Sequence, residues 1–403
     1  MPRRFRHKQT KMKRITAEPI DGEEIQTKRK HDAIESIEGE EKQVKIDKEE
    51  TAAIKLCELK REVSIPTQHK ASNHSTASNK SIDSFVGCNL GFFNHYTNKY
   101  DAYNVLRQIG SGAYGNVFEV QSTKSKKIYA MKRVNLRLGL LAENSETELF
   151  LCEMITLQTL KHPGIIKLNA MYITDMYGIL IFDYVPHTLA GYLYKRKHTI
   201  PFNEVLSKFQ DIVDAVSYIH SRGYFHRDIK PGNILIDDNG KIYLADFGQC
   251  GKYVKGRCNS VPVVTLWYRC PELLYGEENY DQKIDIWSLG CILIEMINGT
   301  CPFMGSSEFE QILFVTQLLG TQRVPTSGAR DISIARTYEK EMFIRDEKDT
   351  KPLLPSFPIG FRIKMRENTP PGMLKAIQWM LKFDPSKRPT ATTLVRYLDA
   401  LTI

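Results

Sequence analysis

The glycine-rich run at 110–115, Gly-Ser-Gly-Ala-Tyr-Gly, constrains this chain more than any other segment. Gly110, Gly112 and Gly115 let backbone N–H groups approach a ligand without Cβ interference, which is how phosphate oxygens are cradled. The same spacing occurs in dinucleotide folds, where it opens a helix. Here Asn116 is followed by Val117, Phe118 and Val120, and Asn104–Ile109 precedes the loop as a strand-like run. β-branched and aromatic residues on both sides make the loop a hairpin turn between two strands. That disfavours the strand–loop–helix geometry of a dinucleotide enzyme.

The texture on either side bounds the folded part. Residues 1–100 are polar and charge-dense, and Thr67–Ser84 is rich in Ser, Asn, His and Lys. Such composition buries too little apolar surface to offset chain entropy, so a disordered extension is expected there. Glu49–Val63, with Ile54, Leu56 and Leu59, reads as a transient or docking helix at most. Residues 1–14 hold Arg3, Arg4, Arg6, Lys8, Lys11, Lys13 and Arg14 and no acid. A basic run of this kind reads as a nuclear import signal or a solvated tail, and no nucleic-acid partner is expected from it. No apolar h-region follows it, no run of 18 apolar residues exists, and the eight cysteines form no CxxC pair. The expectation is a nuclear or cytoplasmic protein with reduced thiols and no membrane partner.

From Tyr103 the chain changes character. Strands are expected at 104–109, 116–121, 128–134 and 179–184, with an amphipathic helix over Glu146–Leu160. After Phe202 the pattern is helical: Phe202–Ser221, Asp281–Ile297, Ser307–Leu319, Met373–Leu381 and Ala391–Leu398. The fold class is therefore α+β and bilobal, with a β-rich lobe at about 103–185, a helical lobe at about 186–403, and a site between them.

Chemistry-bearing residues follow in order. Lys132 sits in Tyr-Ala-Met-Lys on the third strand, and Glu153 lies on the next helix. His226-Arg227-Asp228-Ile229-Lys230-Pro231-Gly232-Asn233 fits H-R-D-x-x-x-x-N, and Asp246-Phe247-Gly248 begins thirteen residues after Asn233. With these residues the chain resembles the eukaryotic protein kinases over about 103–400. The resemblance implies ATP and Mg²⁺ as cofactors and protein Ser/Thr as substrate. It implies Asp228 as the base that orients the acceptor hydroxyl, Lys230 beside the γ-phosphate, and Lys132, held by Glu153, on the α/β-phosphates. Asn233 and Asp246 offer oxygen ligands suited to Mg²⁺. Ile109, Gly110, Ser111, Gly112, Ala113, Tyr114, Gly115, Asn116, Val117, Ala130 and Leu235 are implied to line the nucleotide site. Phe182 stands as gatekeeper, and Asp183–Val185, including Asp183 and Val185, as hinge. Because Lys132, Glu153, Asp228, Asn233 and Asp246 are all present, a catalytically dead scaffold is disfavoured.

Cys270-Pro271-Glu272, with Glu272 expected to pair Arg388, and Asp285-Ile286-Trp287-Ser288-Leu289-Gly290 read as structural signatures. Val263-Val264-Thr265-Leu266-Trp267-Tyr268-Arg269, His162–Leu168, Leu319-Gly320-Thr321 and Pro355–Pro358 resemble the cyclin-dependent kinases. Gln322–Pro358 fills the insert which that group shares with mitogen-activated kinases. Arg269 then implies a pocket for proline after the target residue, and a cyclin or other activating subunit becomes a partner class. Three departures qualify this. Cys152 stands where the family has arginine before the helix glutamate. Gly251, followed by Lys252, stands where it has a second arginine. Ala113 replaces the threonine beside Tyr114. Only Arg227 remains to bind a phosphate on Ser260, so weak dependence on that phosphate is expected. A cyclin-independent kinase acting on other kinases is the alternative reading, and Tyr114 remains a regulatory candidate.

Overall fold

The computed structural model describes residues 87–94, 99–112, 115–136, 146–174, 176–196, 200–253, 265–320 and 360–401. The expectations for 1–86, for Ala113 and Tyr114, for Ser260 and for the insert at 322–358 lie outside the described residues.

Alternating apolar and polar residues build the first lobe. Six strands, β1 (Asn89–Asn94), β2 (Lys99–Gly112), β3 (Gly115–Ser122), β4 (Ile128–Asn135), β5 (Leu168–Ile173) and β6 (Tyr177–Asp183), form one antiparallel sheet in the order β1-β2-β3-β4-β6-β5. Side chains alternate between faces along each strand. One face therefore collects Val105, Phe118, Val120, Met131, Ile179 and Ile181, with Tyr103 and Tyr172, into a closed core. The other face carries Val117 opposite Lys132, and Ala130 opposite Phe182.

Helix α1 (Glu146–Thr159) is fixed beneath this sheet by Phe150. Its ring occupies the space that a Cβ on Gly178 of β6 would enter, at 2.5 Å. The sheet also begins earlier than the boundary expected at residue 100. Strand β1 pairs residue by residue with the start of β2, from Asn89 opposite Asn104 to Asn94 opposite Lys99. Phe92 stacks on Tyr172 with ring centroids 4.7 Å apart, and the Tyr172 hydroxyl donates to Asp101 at 2.9 Å. An apolar ring laid over the open side of the core is the physical reason this stretch leaves the solvated tail.

The second lobe follows its helical periodicity. It comprises the β7 (His187–Thr188), β9 (Ile234–Ile236) and β10 (Ile242–Leu244) sheet and the β8 (Tyr224–Phe225) and β11 (Gly251–Lys252) pair. Its helices are α2 (Leu189–Arg196), α3 (Phe202–Ser221), α4 (Pro271–Leu274), α5 (Lys283–Asn298), α6 (Glu308–Leu319), α7 (Pro371–Met380) and α8 (Ala391–Asp399). In α3, Val205, Leu206, Phe209, Ile212, Val213, Val216 and Ile219 are buried at three- and four-residue spacing. Helix α5 is apolar nearly all round and forms the centre of the lobe, ending at Gly299 with φ of 79°.

One ion pair ties the lobe's ends together. Arg388 meets Glu272 through two parallel bonds of 2.6 and 2.7 Å, and its other donors reach the carbonyls of Lys382, Lys283 and Phe383. Both side chains are excluded from water. A buried pair adds little over an apolar one of equal shape, but removing one partner strands a charge and costs about 3–5 kcal/mol. Arg388→Leu is expected to lower unfolding free energy by about that amount. Phe92→Ala is expected to cost about 1–2 kcal/mol, in keeping with its half-buried ring. Urea denaturation of the two variants checks both figures.

Candidate active site

The glycine-rich hairpin is built by the β2–β3 register, which sets Gly110 opposite Val117, Ser111 opposite Asn116 and Gly112 opposite Gly115. Its glycines serve different ends. Gly115 has φ of 119°, and a Cβ there would stand 2.3 Å from the Arg133 carbonyl oxygen, so the fold itself demands glycine. Among the described residues, chain neighbours aside, a Cβ on Gly112 would meet no atom within 4 Å. Among the described residues nothing in the packing calls for glycine at 112, and the open space above it suits a ligand that approaches the backbone. Ile109, at the end of the preceding strand, is 38% exposed, a large apolar side chain left for something to cover.

Lys132 is pointed to the cleft face by β4. Its ammonium lies 2.6 Å from Glu153 Oε2 on α1 and 2.9 Å from Asp246 Oδ1. Burial disfavours the cation, but the two carboxylates outweigh it and raise its pKa. For Asp246 burial again opposes the charge, and Lys132 prevails, holding the carboxyl below its usual range. Burial pushes the Glu153 carboxyl up, while Lys132 pulls it back. Asp246 sits at φ of 62°, the left-handed backbone in which aspartate is tolerated better than most residues.

The loop at 226–233 is positioned from below. Asp285 at the start of α5 accepts from the backbone N–H of His226 (2.8 Å) and of Arg227 (2.9 Å) and bonds the His220 ring (2.8 Å). Burial works against its charge, yet these bonds hold its pKa down. So braced, the loop presents Asp228 with Oδ2 accepting from Lys230 Nζ (2.8 Å) and Asn233 Nδ2 (2.9 Å). Asn233 Nδ2 also donates to the Asp228 carbonyl at 2.9 Å. The amide nitrogen of Asn233 is thereby consumed within the loop, which leaves its oxygen as the group that could serve a ligand.

The structure brings Lys132, Glu153 and Asp246 into one cluster and Asp228, Lys230 and Asn233 into another. Ala130 and Phe182 are register partners, and Leu235 lies on β9. Asp183 turns its carboxylate outward, to Lys127 at 2.7 Å and Asn169 at 3.2 Å, so only its backbone can serve a hinge. Val185 is half-buried just beyond. Arg269 is nearly buried and ion-paired with Glu308 at the start of α6. In the sequence Thr265 stands only within the run Val263–Arg269, with no site role of its own. Its hydroxyl accepts from Lys230 Nζ at 2.8 Å and touches Asp228 Oδ1 at 3.5 Å. Its position four residues before Arg269 was the available signal.

With the geometry in place, comparisons with known proteins agree with it. The family model for the protein kinase domain matches residues 103–398. The chain is 33% identical over 224 residues to the CTD kinase subunit alpha of Saccharomyces cerevisiae, covering 54% of this chain and 41% of that protein. It is 33% identical over 298 residues to cyclin-dependent kinase 12 of Caenorhabditis elegans, covering 68% of this chain and 38% of that one. It is 32% identical over 304 residues to cyclin-dependent kinase 1 of Encephalitozoon cuniculi, covering 72% of this chain and 94% of that one. The match spans less than half the length of the first two relatives. Among the described residues no helix is long and apolar enough to cross a membrane.

Asp285→Asn puts an N–H donor against one of the two backbone N–H groups. It is expected to cost about 1–3 kcal/mol of stability at pH 7. The folded pKa of Asp285 is depressed, so its contribution is full above the ordinary aspartate value and is lost as pH falls through the folded one. The gap between wild type and variant in denaturant titrations should therefore close below about pH 4.

Proposed function

This chain belongs to the protein kinase family, as a serine/threonine kinase of the cyclin-dependent-kinase-like type, and from that we propose that it transfers the γ-phosphate of ATP to Ser or Thr followed by proline. In this reading the phosphates lie along the backbone at Gly110–Gly112, with Lys132 on the α/β-phosphates. Adenine lies among Ile109, Val117, Ala130 and Leu235, ahead of Phe182 and the 183–185 hinge. The open space over Gly112 supports it.

The donor set fits Mg²⁺. That cation takes one or two protein oxygens and completes its shell with phosphate and water. The Asn233 amide oxygen and the Asp246 carboxylate, held ionised beside Lys132, are such oxygens. Bound there, the ion would neutralise charge on the phosphates. The protein's own groups do the positioning. Asp228 Oδ2 is engaged by Lys230 and Asn233, and Oδ1, with only long contacts to Thr265, is left to accept the proton of the substrate hydroxyl. Lys230, bridging Asp228 and Thr265, would offset charge as the phosphoryl group moves.

The preference for proline rests on one observation. Each carbonyl from Thr265 to Tyr268 already accepts a hydrogen bond, from Tyr268 N, Arg269 N, Gln311 Nε2 and Ser288 Oγ respectively. A substrate N–H facing these four carbonyls would have to share an oxygen that already has a donor, and proline has no such N–H to place. We also propose that no cyclin is needed to form the Lys132–Glu153 pair, which stands at 2.6 Å within this single chain. Partner proteins and physiological substrates remain those that such a site selects: proline-containing acceptor segments.

A peptide array assayed with and without candidate cyclins tests this reading. Ser-Pro and Thr-Pro peptides are expected to exceed their Ser-Ala and Thr-Ala counterparts at least tenfold in kcat/KM, with no cyclin added. Equal rates for the two peptide classes would remove the proline claim. Gly112→Ala is expected to raise KM for ATP several-fold with unchanged thermal stability, whereas Gly115→Ala destabilises the fold. ATP titrations and melting curves separate the two.

A further inference from the structure

The half-buried Arg227 guanidinium lies between the catalytic loop and the strand that follows Asp246-Phe247-Gly248. Among the described residues its partners are neutral. Nε donates to the Gln249 carbonyl at 2.5 Å, and one terminal nitrogen donates to the Tyr280 hydroxyl at 3.3 Å. The guanidinium also stands over the Phe225 ring, 5.5 Å from its centroid, and Tyr280 meets the same ring edge-on at 5.9 Å. Tyr280 is 4% exposed, so its hydroxyl is a fixed acceptor.

This placement needs the space at residue 251. Gly251 pairs with Phe225 across β8 and β11. A Cβ on it would stand 3.1 Å from both Cζ and Nε of Arg227 and 3.2 Å from the Phe225 ring. Any side chain there presses directly on the guanidinium. On the opposite side, α1 is joined to the same segment by Cys152, whose thiol donates to the Cys250 carbonyl at 2.9 Å. Burial pushes this thiol up to about 11, against the pull of nearby Arg227, so it is a neutral donor at physiological pH. Helix α1, segment 247–252 and the catalytic loop thus meet at one joint made of a thiol, two carbonyls, a hydroxyl and an arginine.

We propose that this joint replaces the phosphate on the activation segment: Cys152 and Gly251 are positioning residues that hold α1 and Arg227 in the active arrangement whether or not Ser260 is phosphorylated. A phosphate orders such segments by gathering several arginine forks around one dianion. Here Cys152 and Gly251 stand in place of the two further forks, and the one that remains is already anchored, with Nε on the Gln249 carbonyl and one terminal N–H on the Tyr280 hydroxyl. Glu153, adjacent to Cys152 on α1, is kept at Lys132 by the same tether. The proposal rests on the kinase reading of the site and specifies how that site is regulated.

The full-length protein is assayed on a Ser-Pro peptide before and after phosphatase treatment, beside Ser260→Ala. Both treatments are expected to leave activity within about threefold of the untreated enzyme. Cys152→Ala and Gly251→Ala should each lower kcat at least tenfold, and Cys152→Ser, whose hydroxyl can also donate, should recover most of it. Cys152→Arg combined with Gly251→Arg rebuilds three guanidinium groups around one point. That variant should become sensitive to phosphatase, which a merely structural role for either residue would not produce. If Gly251 variants fail to fold, as melting curves would reveal, the Cys152→Ala and Cys152→Ser pair carries the test. A loss beyond tenfold in Ser260→Ala, or full activity in dephosphorylated Cys152→Ala, overturns the proposal while leaving the kinase intact. Absence of phosphotransfer under every condition would overturn the kinase reading and this proposal with it.

Discussion

The ammonium of Lys132 has been taken out of water, and that desolvation is tolerable only where carboxylates replace the lost hydration. Two do so, Glu153 at 2.6 Å and Asp246 at 2.9 Å. Each comes from a different element, so the cation makes β4, α1 and the segment at 246–248 mutually dependent. Movement of α1 away from the sheet would leave a buried cation with half its compensation. The packing of Phe150 against the bare backbone of Gly178 opposes that movement by shape, and the thiol tether from Cys152 opposes it by a hydrogen bond. The charged contact fixes the positions of the reacting groups, and the apolar and neutral contacts around it keep α1 in place.

Four of the carboxylates fall into two kinds. Glu272 has both oxygens on Arg388, and Asp285 has both on protein donors. Neither has reason to meet a ligand, and both act as braces between sequence-distant parts of the helical lobe. Asp228 and Asp246 differ. Asp228 Oδ1 makes only contacts of 3.4 and 3.5 Å, and Asp246 is 29% exposed in its side chain. A buried acid left partly unsatisfied costs stability, and such costs recur where a group must serve something outside the fold. The degree of satisfaction thus separates the braces from the groups that face the cleft without reference to any motif.

What the sequence made legible follows the range of the forces involved. The span of α3 could be read to the residue because Pro201, an uninterrupted apolar period and Gly223 all act locally. The helical expectation for 307–319 was met within one residue because Ser307 caps α6, accepting from Glu310 N. Strand β1 escaped notice because Asn89, Gly91 and Asn94 are poor strand formers. Its structure comes from Tyr103 and from Tyr172, a residue about eighty positions away. Leu168–Ile173 was likewise not marked as a strand, since Ala170 and Met171 carry weak β preference and only pairing with β6 makes it one. The role of Thr265 within the run Val263–Arg269 stays hidden for the same kind of reason. A single threonine carries no pattern, and its worth appears when Lys230 and Asp228 fold against it.

Cys152 and Gly251 stand between these cases. The sequence exposed them as departures from a pattern of arginines, which says what is missing but not what takes its place. In the proposed joint the replacement is a set of neutral tertiary contacts, Gln249 carbonyl, Tyr280 hydroxyl and Cys250 carbonyl, drawn from segments as far apart as α1 and the approach to α5. Neutral partners have a physical consequence of their own. A cluster of three arginines repels itself until an anion arrives, so its low-energy state depends on the anion. One arginine resting on a carbonyl, a hydroxyl and an aromatic face meets no such repulsion, and its position does not depend on ionic strength to the same degree. In the proposed joint, a thiol and a glycine in place of two arginines would remove the electrostatic strain that a phosphate otherwise relieves.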